Sequence, residues 1–339
     1  MGLAHLVRVA TKRIYIWGPA VLLIAVLWRL ASGTHFVQLG QRQAAPAAAG
    51  EGQTRQVTIL YTGYGRGAAV PVTNAPSSTC GACQGPAVGG LARRATYLKQ
   101  ALGEEPGALL VDTGGTLTGE AGASGQRTDE QIARALAAMG YDALNAGSTE
   151  LRSGSIAWQR LAEASAPDLV SSNGRLASAG DGPGDSGTAV PAPYLIREVA
   201  GVRVGIVGVT SPSTSGDASR MANLTPPVEA LRALLPEVRQ HADVIVALAD
   251  LEPAEIQELA AAGLDLQVVL GGRVLQCQSL TWVGQTAVVA VGGDGRYVGR
   301  LTLQVNSQGR VVSAENEIEV LTQNIEDDPS MVALLAEYE

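Results

Sequence analysis

Strand-length apolar runs alternate with amphipathic stretches from residue 57 onward, and this alternation restricts the fold more than any other feature of the sequence. Runs rich in β-branched residues predict buried strands, whereas apolar side chains at helical spacing predict helices packed on a sheet. Strands alternating with helices indicate an α/β fold. The predicted strands span residues 57–61, 108–111, 169–171, 202–209, 244–249 and 266–270; the predicted helices span 90–102, 128–139 (with Thr128 as N-cap), 157–164, 228–239 and 253–262.

The last third of the chain has a different pattern. Residues 280–283, 286–291, 297–305 and 310–319 are short β-rich runs that follow one another with turns between them. Successive strands joined by short turns pair antiparallel. We therefore predict an antiparallel ribbon at the end of the domain.

The N-terminal region has the pattern of a membrane anchor. Residues 14–28 carry no charge and lie between Arg13 and Arg29. At about 1.5 Å per residue they span about 22 Å, and Leu30 and Ala31 lengthen the apolar stretch. More basic residues precede this stretch than follow it closely, which favours an N-terminus inside the cell. We predict a cytoplasmic N-terminus (1–13), a transmembrane anchor (14–31), a flexible tether (32–56) and a periplasmic domain (57–339) of a single-pass bacterial inner-membrane protein. A cleaved signal peptide is the open alternative.

Charge and cysteine content exclude two classes of protein. All 32 acidic residues lie after residue 50, whereas five of the 24 basic residues come before it. The strongly acidic body lacks the basic face that nucleic-acid binding requires. Three cysteines are too few for a disulfide scaffold of 339 residues.

Several segments occur in a recognisable order. Four segments follow one another along the body: VTILYTGYGRG (57–67), GGLARRATYLKQ (89–100), ALLVDTGGTLTGE (108–120) and GDGRYVGRL (293–301). In this order they resemble the catalytic domain of the bacterial 5′-nucleotidase branch of the calcineurin-like metallophosphoesterases. The resemblance implies a four-layer α/β/β/α sandwich with two mixed sheets between helices. The separate C-terminal nucleotide-binding domain of that branch is predicted to be absent.

The resemblance also implies a set of metal-ligand positions. In that family, Asp, His and Asn side chains at the strand ends hold two metal ions that activate water and clamp a phosphoryl group. The corresponding positions here are occupied by Tyr64, Arg66, Gly115, Ser148, Thr149, Asp250, Gly272 and Val274. Asp250 is the one carboxylate among them, and His241 is the one histidine of the body. We therefore predict no metal ions, no cofactor and no catalytic residues, with Arg66 and Arg273 available to bind an anion.

These losses lead to three functional hypotheses. The first is a pseudoenzyme: a membrane-anchored pseudo-phosphoesterase that serves as an extracytoplasmic accessory or docking subunit, with other membrane-protein subunits as partners. The first alternative is a residual metal-dependent phosphoester (nucleotide) hydrolase with a single metal at Asp112, Asp250 and Glu150. The second alternative is a thiol redox module that uses Cys80 and Cys83.

The cysteines leave their own alternatives open. Cys80 and Cys83 form a C-x-x-C motif ahead of GGLARR, a position where relatives of this branch often carry a close cysteine pair. In an oxidising compartment we expect a structural disulfide, either Cys80–Cys83 or one of the two with Cys277. Redox activity and metal binding are the other possibilities for a C-x-x-C motif.

Overall fold

A computed structural model describes residues 36–38, 42–46, 53–72, 87–120, 122–152, 167–174, 191–214, 224–274 and 276–337. The chain divides into two units, Met1–Phe36 and Val37–Glu339, and the description below concerns the second. Within the described residues, no helix is long and apolar enough to cross a membrane. The predicted anchor at 14–31, the predicted helix at 157–164 and the Cys80/Cys83 pair lie outside the described residues.

Among the described residues, the first sheet has eight strands: β1 (Phe36–Gln38), β2 (Gln43–Ala44), β3 (Arg55–Thr62), β4 (Leu109–Asp112), β5 (Ala143–Asn145), β6 (Asp168–Val170), β13 (Tyr297–Val305) and β14 (Val311–Val320). Their spatial order is β1–β14–β13–β3–β4–β5–β6, with β2 paired to β14. The strands β3 to β6 are parallel, and β13 and β14 add to them as an antiparallel pair.

The second sheet has six strands: β7 (Leu195–Val199), β8 (Val202–Thr210), β9 (Val244–Asp250), β10 (Val268–Val274), β11 (Gln278–Val283) and β12 (Thr286–Gly292). Their spatial order is β11–β12–β10–β9–β8–β7. The four central strands are parallel, and β7 and β11 pair antiparallel at the two edges. Every residue of β9 and β12 is buried, as expected for parallel strands covered on both faces.

In the part of the chain that the structure describes, five helices cover the outer faces of the sheets: α1 (Leu91–Glu104), α2 (Ala123–Ala138), α3 (Pro227–His241), α4 (Pro253–Ala261) and α5 (Pro329–Ala336). One apolar core contains side chains of both sheets, a second joins the first sheet to α1, α2 and α5, and a third joins the second sheet to α3 and α4. The described residues thus form helix, sheet, sheet and helix layers, and the predicted α/β fold is confirmed.

Two glycines determine where α1 begins. Gly89 and Gly90 have φ angles of 88° and 93°, which side chains with a Cβ rarely adopt. A Cβ on Gly89 would lie 2.9 Å from the carbonyl oxygen of Gly295, and one on Gly90 would lie 2.8 Å from Cδ of Pro71. The GG of the GGLARR segment therefore packs the start of α1 against Pro71 and the loop that follows β12.

Three details differ from the sequence predictions. The helix predicted from Thr128 begins at Ala123; Thr128 is not its N-cap, because its Oγ1 bonds the carbonyl of Ser124 inside the helix. The predicted final ribbon is two hairpins, β11–β12 in the second sheet and β13–β14 in the first, because β12 pairs with the nearby β10 whereas β13 pairs with β3, far away in sequence. Residues 42–46, inside the predicted tether, are attached to the first sheet through β2, and Ala45 is buried there.

Candidate functional site

The loops at the carboxyl ends of the parallel strands of both sheets meet at one place. Residues 63–67 follow β3, residues 113–117 follow β4, and residues 146–150 follow β5; Asp250 ends β9 and Arg273 lies near the end of β10. Backbone bonds from Tyr64 to Gly114 (2.8 Å) and from Asp294 to Tyr64 (3.0 Å) join the loops. Ligands of α/β proteins bind at such strand ends, so this is the candidate site.

Asp250, Arg273 and Ser148 form the centre of the site. The Asp250 carboxylate is fully buried; its Oδ2 accepts the Ser148 backbone N–H at 2.6 Å and its Oδ1 accepts Nε of Arg273 at 3.2 Å. Nη2 of Arg273 donates to Oγ of Ser148 at 2.6 Å. Nη1 lies 3.5 Å from the exposed carboxylate of Glu252. The guanidinium thus links the two sheets at the position where β5 and β9 end.

Tyr64, Arg66 and Asp294 form the outer part. Nε and Nη2 of Arg66 both donate to Oδ1 of Asp294, at 2.9 and 2.6 Å, and Oδ2 of Asp294 accepts Nη2 of Arg296 at 2.5 Å. The Tyr64 ring lies between two cations: its centroid is 5.3 Å from Cζ of Arg66 and 5.8 Å from Cζ of Arg273. Both distances are within the range of cation–π attraction.

These three residues also carry backbone strain. Tyr64, Arg66 and Asp294 have φ angles of 49°, 49° and 62°, in the left-handed region that costs a non-glycine residue about 1 kcal/mol or more. The backbone bonds that join the loops hold them there, including Arg66 N–H to the Gly115 carbonyl at 2.9 Å. Strain of this kind concentrates at functional sites.

Two further buried carboxyl groups hold the loops. Glu150 accepts three backbone N–H groups, from Gly115, Thr116 and Leu117, at 2.8 to 2.9 Å. Burial, with a smaller contribution from the charges of Asp250 and Asp112, raises the pKa of Glu150 to about 7. Burial also raises the pKa of Asp112, which accepts bonds from Thr62, Thr116 and Gly114.

The side chains present do not fit a pair of divalent ions. Where the family resemblance places metal ligands, the described residues contain no group of three or more Asp, Glu, His or Cys able to hold a metal. Both carboxylate oxygens of Asp112, Glu150 and Asp250 already accept hydrogen bonds from the protein. The same three carboxylates are those of the single-metal alternative, and these hydrogen bonds fix their orientation. We derive no step through a metal ion.

The structure brings together most of the residues singled out from the sequence. Thr149 is buried beside Ser148. Seven of the residues lie within the strand-end site: Tyr64, Arg66, Gly115, Ser148, Asp250, Gly272 and Arg273. Val274 is not part of it, because its side chain packs in the apolar core under α3 and α4. Cys277 packs partly buried against the core between the sheets.

Sequence reasoning missed Asp294, Arg296 and Thr113. Asp294-Gly295 carries the signal of a turn, and nothing in that signal reveals that the carboxylate pairs with Arg66 from a loop more than two hundred residues earlier. Thr113 follows a strand, as many buried threonines do, so its local sequence does not mark it as a site residue. It lies between Gly63 and Gly272, and this position depends on contacts between the two sheets.

Known proteins of similar sequence are nucleotidases. No family model matches the chain. The chain is 29% identical to a 5′-nucleotidase of Bos taurus over 280 residues, covering 73% of this chain and 46% of the relative. It is 26% identical to a snake venom 5′-nucleotidase of Gloydius brevicauda over 349 residues, covering 93% of this chain and 54% of the relative. The chain thus spans about half the length of the curated relatives it matches.

Solved structures share the fold. The 5′-nucleotidase precursor from Thermus thermophilus superposes with a TM-score of 0.68 and 21% identity, covering 84% of this chain and 58% of that one. The calcineurin-like phosphoesterase YfkN from Bacillus subtilis superposes with a TM-score of 0.64 and 19% identity, covering 84% of this chain and 97% of that one.

These comparisons contradict the prediction that the chain is a pseudoenzyme acting as an accessory subunit of a membrane complex. The similar proteins are named as nucleotidases and phosphoesterases, which points to a hydrolase. That prediction rests on the changed metal-ligand positions alone. Changed ligands do not exclude hydrolysis, because other charged groups can stabilise a phosphoryl group. In sequence the chain is similar to 5′-nucleotidases, and it shares the fold of calcineurin-like phosphoesterases, so the resemblance to the 5′-nucleotidase-like branch of the calcineurin-like metallophosphoesterases is confirmed.

Proposed function

We propose that this chain hydrolyses phosphate monoesters, with nucleoside monophosphates as the first substrate class to test. The observation that carries the proposal is the pair of guanidinium groups, Arg66 and Arg273, beside one aromatic ring at the strand ends of both sheets. The names of the sequence relatives support the substrate class.

Phosphoryl transfer suits a site of this composition. The transition state is loose and spreads negative charge over the equatorial oxygens, so catalysis depends mainly on positioning and electrostatic stabilisation. A guanidinium presents parallel N–H groups that bind two phosphoryl oxygens at once. Arg273 is held rigidly by Asp250 and Ser148, whereas Arg66 has a side chain 49% exposed to solvent.

The reaction balances with water alone. Water adds its oxygen to phosphorus, the bond between phosphorus and the ester oxygen breaks, and the leaving alkoxide takes up a proton. The products are the nucleoside and inorganic phosphate. In this scheme the two arginines bind and orient the phosphoryl group, and the buried carboxyl groups of Glu150 and Asp112 fix the loops that carry the site.

The test is release of inorganic phosphate by the full chain, purified in mild detergent. We expect turnover of adenosine monophosphate, and a loss of about a hundredfold in kcat/KM for Arg66→Ala because one donor to the phosphoryl group is removed. Arg203→Ala is the matched control: Arg203 is also 49% exposed and pairs with Asp243 at 2.6 Å, as Arg66 pairs with Asp294. Absence of turnover above buffer with nucleotides and with p-nitrophenyl phosphate would refute the proposal.

For location, we propose that residues 14–31 anchor the chain in the inner membrane with the domain in the periplasm. The uncharged stretch 14–28 between Arg13 and Arg29 supports this. Protease added to intact spheroplasts is expected to digest a C-terminal tag and leave an N-terminal tag intact. Protection of both tags would contradict this orientation.

A further inference from the structure

We propose that the fixed cation of the candidate site is the guanidinium of Arg273, assisted by Arg66, and that this chain binds phosphate without any divalent ion. The inference rests on the proposed function, since it concerns the same site, and it specifies how that site holds its ligand. Four observations lead to it.

The first observation is that protein atoms fill the volume between the strand ends. A Cβ on Gly63 or on Gly272 would overlap the Oγ1 of Thr113, so the Thr113 side chain fits only because both positions are glycine. Thr113 is fully buried, and its Oγ1 makes no hydrogen bond. The Tyr64 ring occupies the neighbouring space: a Cβ on Gly115 would lie 3.0 Å from Cδ2, and one on Gly293 would lie 2.8 Å from Cδ1.

The second observation is the position of Arg273 relative to Asp250, the one carboxylate among the predicted ligand positions. Nε of Arg273 lies 3.2 Å from Oδ1 of Asp250, and the Ser148 N–H lies 2.6 Å from Oδ2. A dication bound to this carboxylate would stand beside a permanent positive charge and be repelled by it. The carboxylate therefore serves to position the guanidinium.

The third observation is the charge balance of the cluster. Arg66, Arg273 and Arg296 face the buried or partly buried carboxylates of Asp250 and Asp294, and the charge of Glu252 balances the third guanidinium only from the rim. Glu252 lies at the rim, where its side chain is 54% exposed to solvent. Because Asp294 is shared by Arg66 and Arg296, neither guanidinium is fully neutralised. An incoming phosphate would compete with the exposed carboxylate of Glu252 for Arg273.

The fourth observation is the strained backbone of this same cluster. Tyr64, Arg66 and Asp294 all have left-handed φ angles, and the strained segments are those that present the ring and the exposed guanidinium. The segments that present the ring and the exposed guanidinium are thus held in an unfavourable backbone conformation, as is common at functional sites.

The experiment is calorimetric titration of the full chain in detergent with inorganic phosphate. One sample is dialysed against EDTA, and a second contains excess Mn²⁺ and Mg²⁺ with the heat of metal–phosphate mixing subtracted. We expect the same Kd within about twofold in both. Arg66→Ala should weaken binding about tenfold, as for loss of one charge-assisted contact, whereas Arg203→Ala should not change it. Bound metal, measured by mass spectrometry after growth with added Mn²⁺ and Zn²⁺, should be substoichiometric.

Each outcome decides one proposal. Phosphate binding that disappears in EDTA and returns with Mn²⁺, or about one bound metal per chain, overturns the inference while leaving the hydrolase proposal intact. Metal-free binding without ester turnover supports the inference and refutes the hydrolase. No phosphate binding in either sample overturns the inference. Because Arg273→Ala removes the partner of a buried carboxylate and can unfold the chain, the exposed Arg66→Ala variant carries the test, with circular dichroism as the folding control.

Discussion

At the scale of single residues, the least expected feature is Thr113. Its hydroxyl is buried without a hydrogen-bond partner between Gly63 and Gly272. A buried polar group without a partner costs about 1–3 kcal/mol. Valine has nearly the same shape and no hydroxyl. We therefore expect Thr113→Val to raise the free energy of unfolding by about 1 kcal/mol in a denaturant titration, and a decrease would show that the hydroxyl is bonded in solution.

The glycine opposite Thr113 gives a complementary prediction. A Cβ on Gly272 would overlap Oγ1 of Thr113, and overpacking of a core costs about 1–3 kcal/mol. Gly272→Ala should therefore lower the free energy of unfolding by about that amount. In combination with Thr113→Gly, which removes the overlapping atom, the additional cost of Gly272→Ala should largely disappear. Additive effects of the two substitutions would contradict the contact. Gly263→Ala cannot serve as a control for the effect of overpacking, because the φ angle of 66° at Gly263 would strain any side chain placed there.

At the scale of elements, the strand pair β13–β14 carries an unusual buried acid under α1. Glu319 is 2% exposed; burial and the neighbouring charge of Glu317 raise its pKa to about 8, while Arg300 on β13 opposes the rise. Tyr97 of α1 contacts the same cluster through Arg300, and Glu104 and Glu105 approach Arg300 from the end of α1. Glu317 and Arg300 are thus the charged neighbours that act on the Glu319 carboxyl group.

The raised pKa determines how stability changes with pH. Because the pKa of Glu319 is higher in the folded chain than in the unfolded one, the protonated acid favours folding, and this contribution is lost as the pH rises from about 5 to about 8. The free energy of unfolding should fall by up to about 1.4 kcal/mol per pH unit in this window. Glu319→Gln should flatten the dependence of Tm on pH and raise Tm at about pH 8. Glu315→Gln, on the same strand and half-buried, is the control; an identical pH profile for Glu319→Gln and the unaltered chain would disprove the assignment.

Elements also show what the sequence could and could not predict. Buried strands such as β8 and β9 are continuous apolar runs, so their positions follow from local composition. The start of α2 does not, because residues 123–127 lack an apolar pattern and are helical through the packing of the rest of the helix. The split of β11–β14 between two sheets depends on the pairing of β12 with the nearby β10 and of β13 with β3, which is remote in sequence.

The candidate site, like the elements, is only partly predictable from the sequence. Its positions follow from the ends of strands, where family motifs place their functional side chains. Its chemistry depends on contacts that join distant loops: Arg66 with Asp294, and Arg273 with Ser148. Counting lost histidines identifies what has changed but leads to a wrong functional conclusion, because the loss of metal ligands does not by itself exclude hydrolysis.

At the scale of the whole molecule, the two sheets share one apolar core, and this predicts that they unfold together. Leu301 of β13 and Leu248 of β9 are both fully buried in that core, although they belong to different sheets. Truncating a buried leucine to alanine costs about 2–5 kcal/mol. If the core is continuous, Leu301→Ala and Leu248→Ala should each shift the same single unfolding transition to lower denaturant concentration.

Two probes can separate the sheets in this test. Far-UV circular dichroism reports the whole chain, and the fluorescence of Trp282 reports β11 of the second sheet once Trp17, Trp28 and Trp158 are replaced by phenylalanine. We expect coincident transitions by both probes, as two-state unfolding requires, in the parent and in both leucine variants. Val332→Ala, at an exposed position of α5, should shift neither probe by more than about 0.5 kcal/mol. A Leu301→Ala variant that loses circular dichroism first, with Trp282 fluorescence unchanged, would show that the sheets are independent and that the strand-end site joins two separately stable halves.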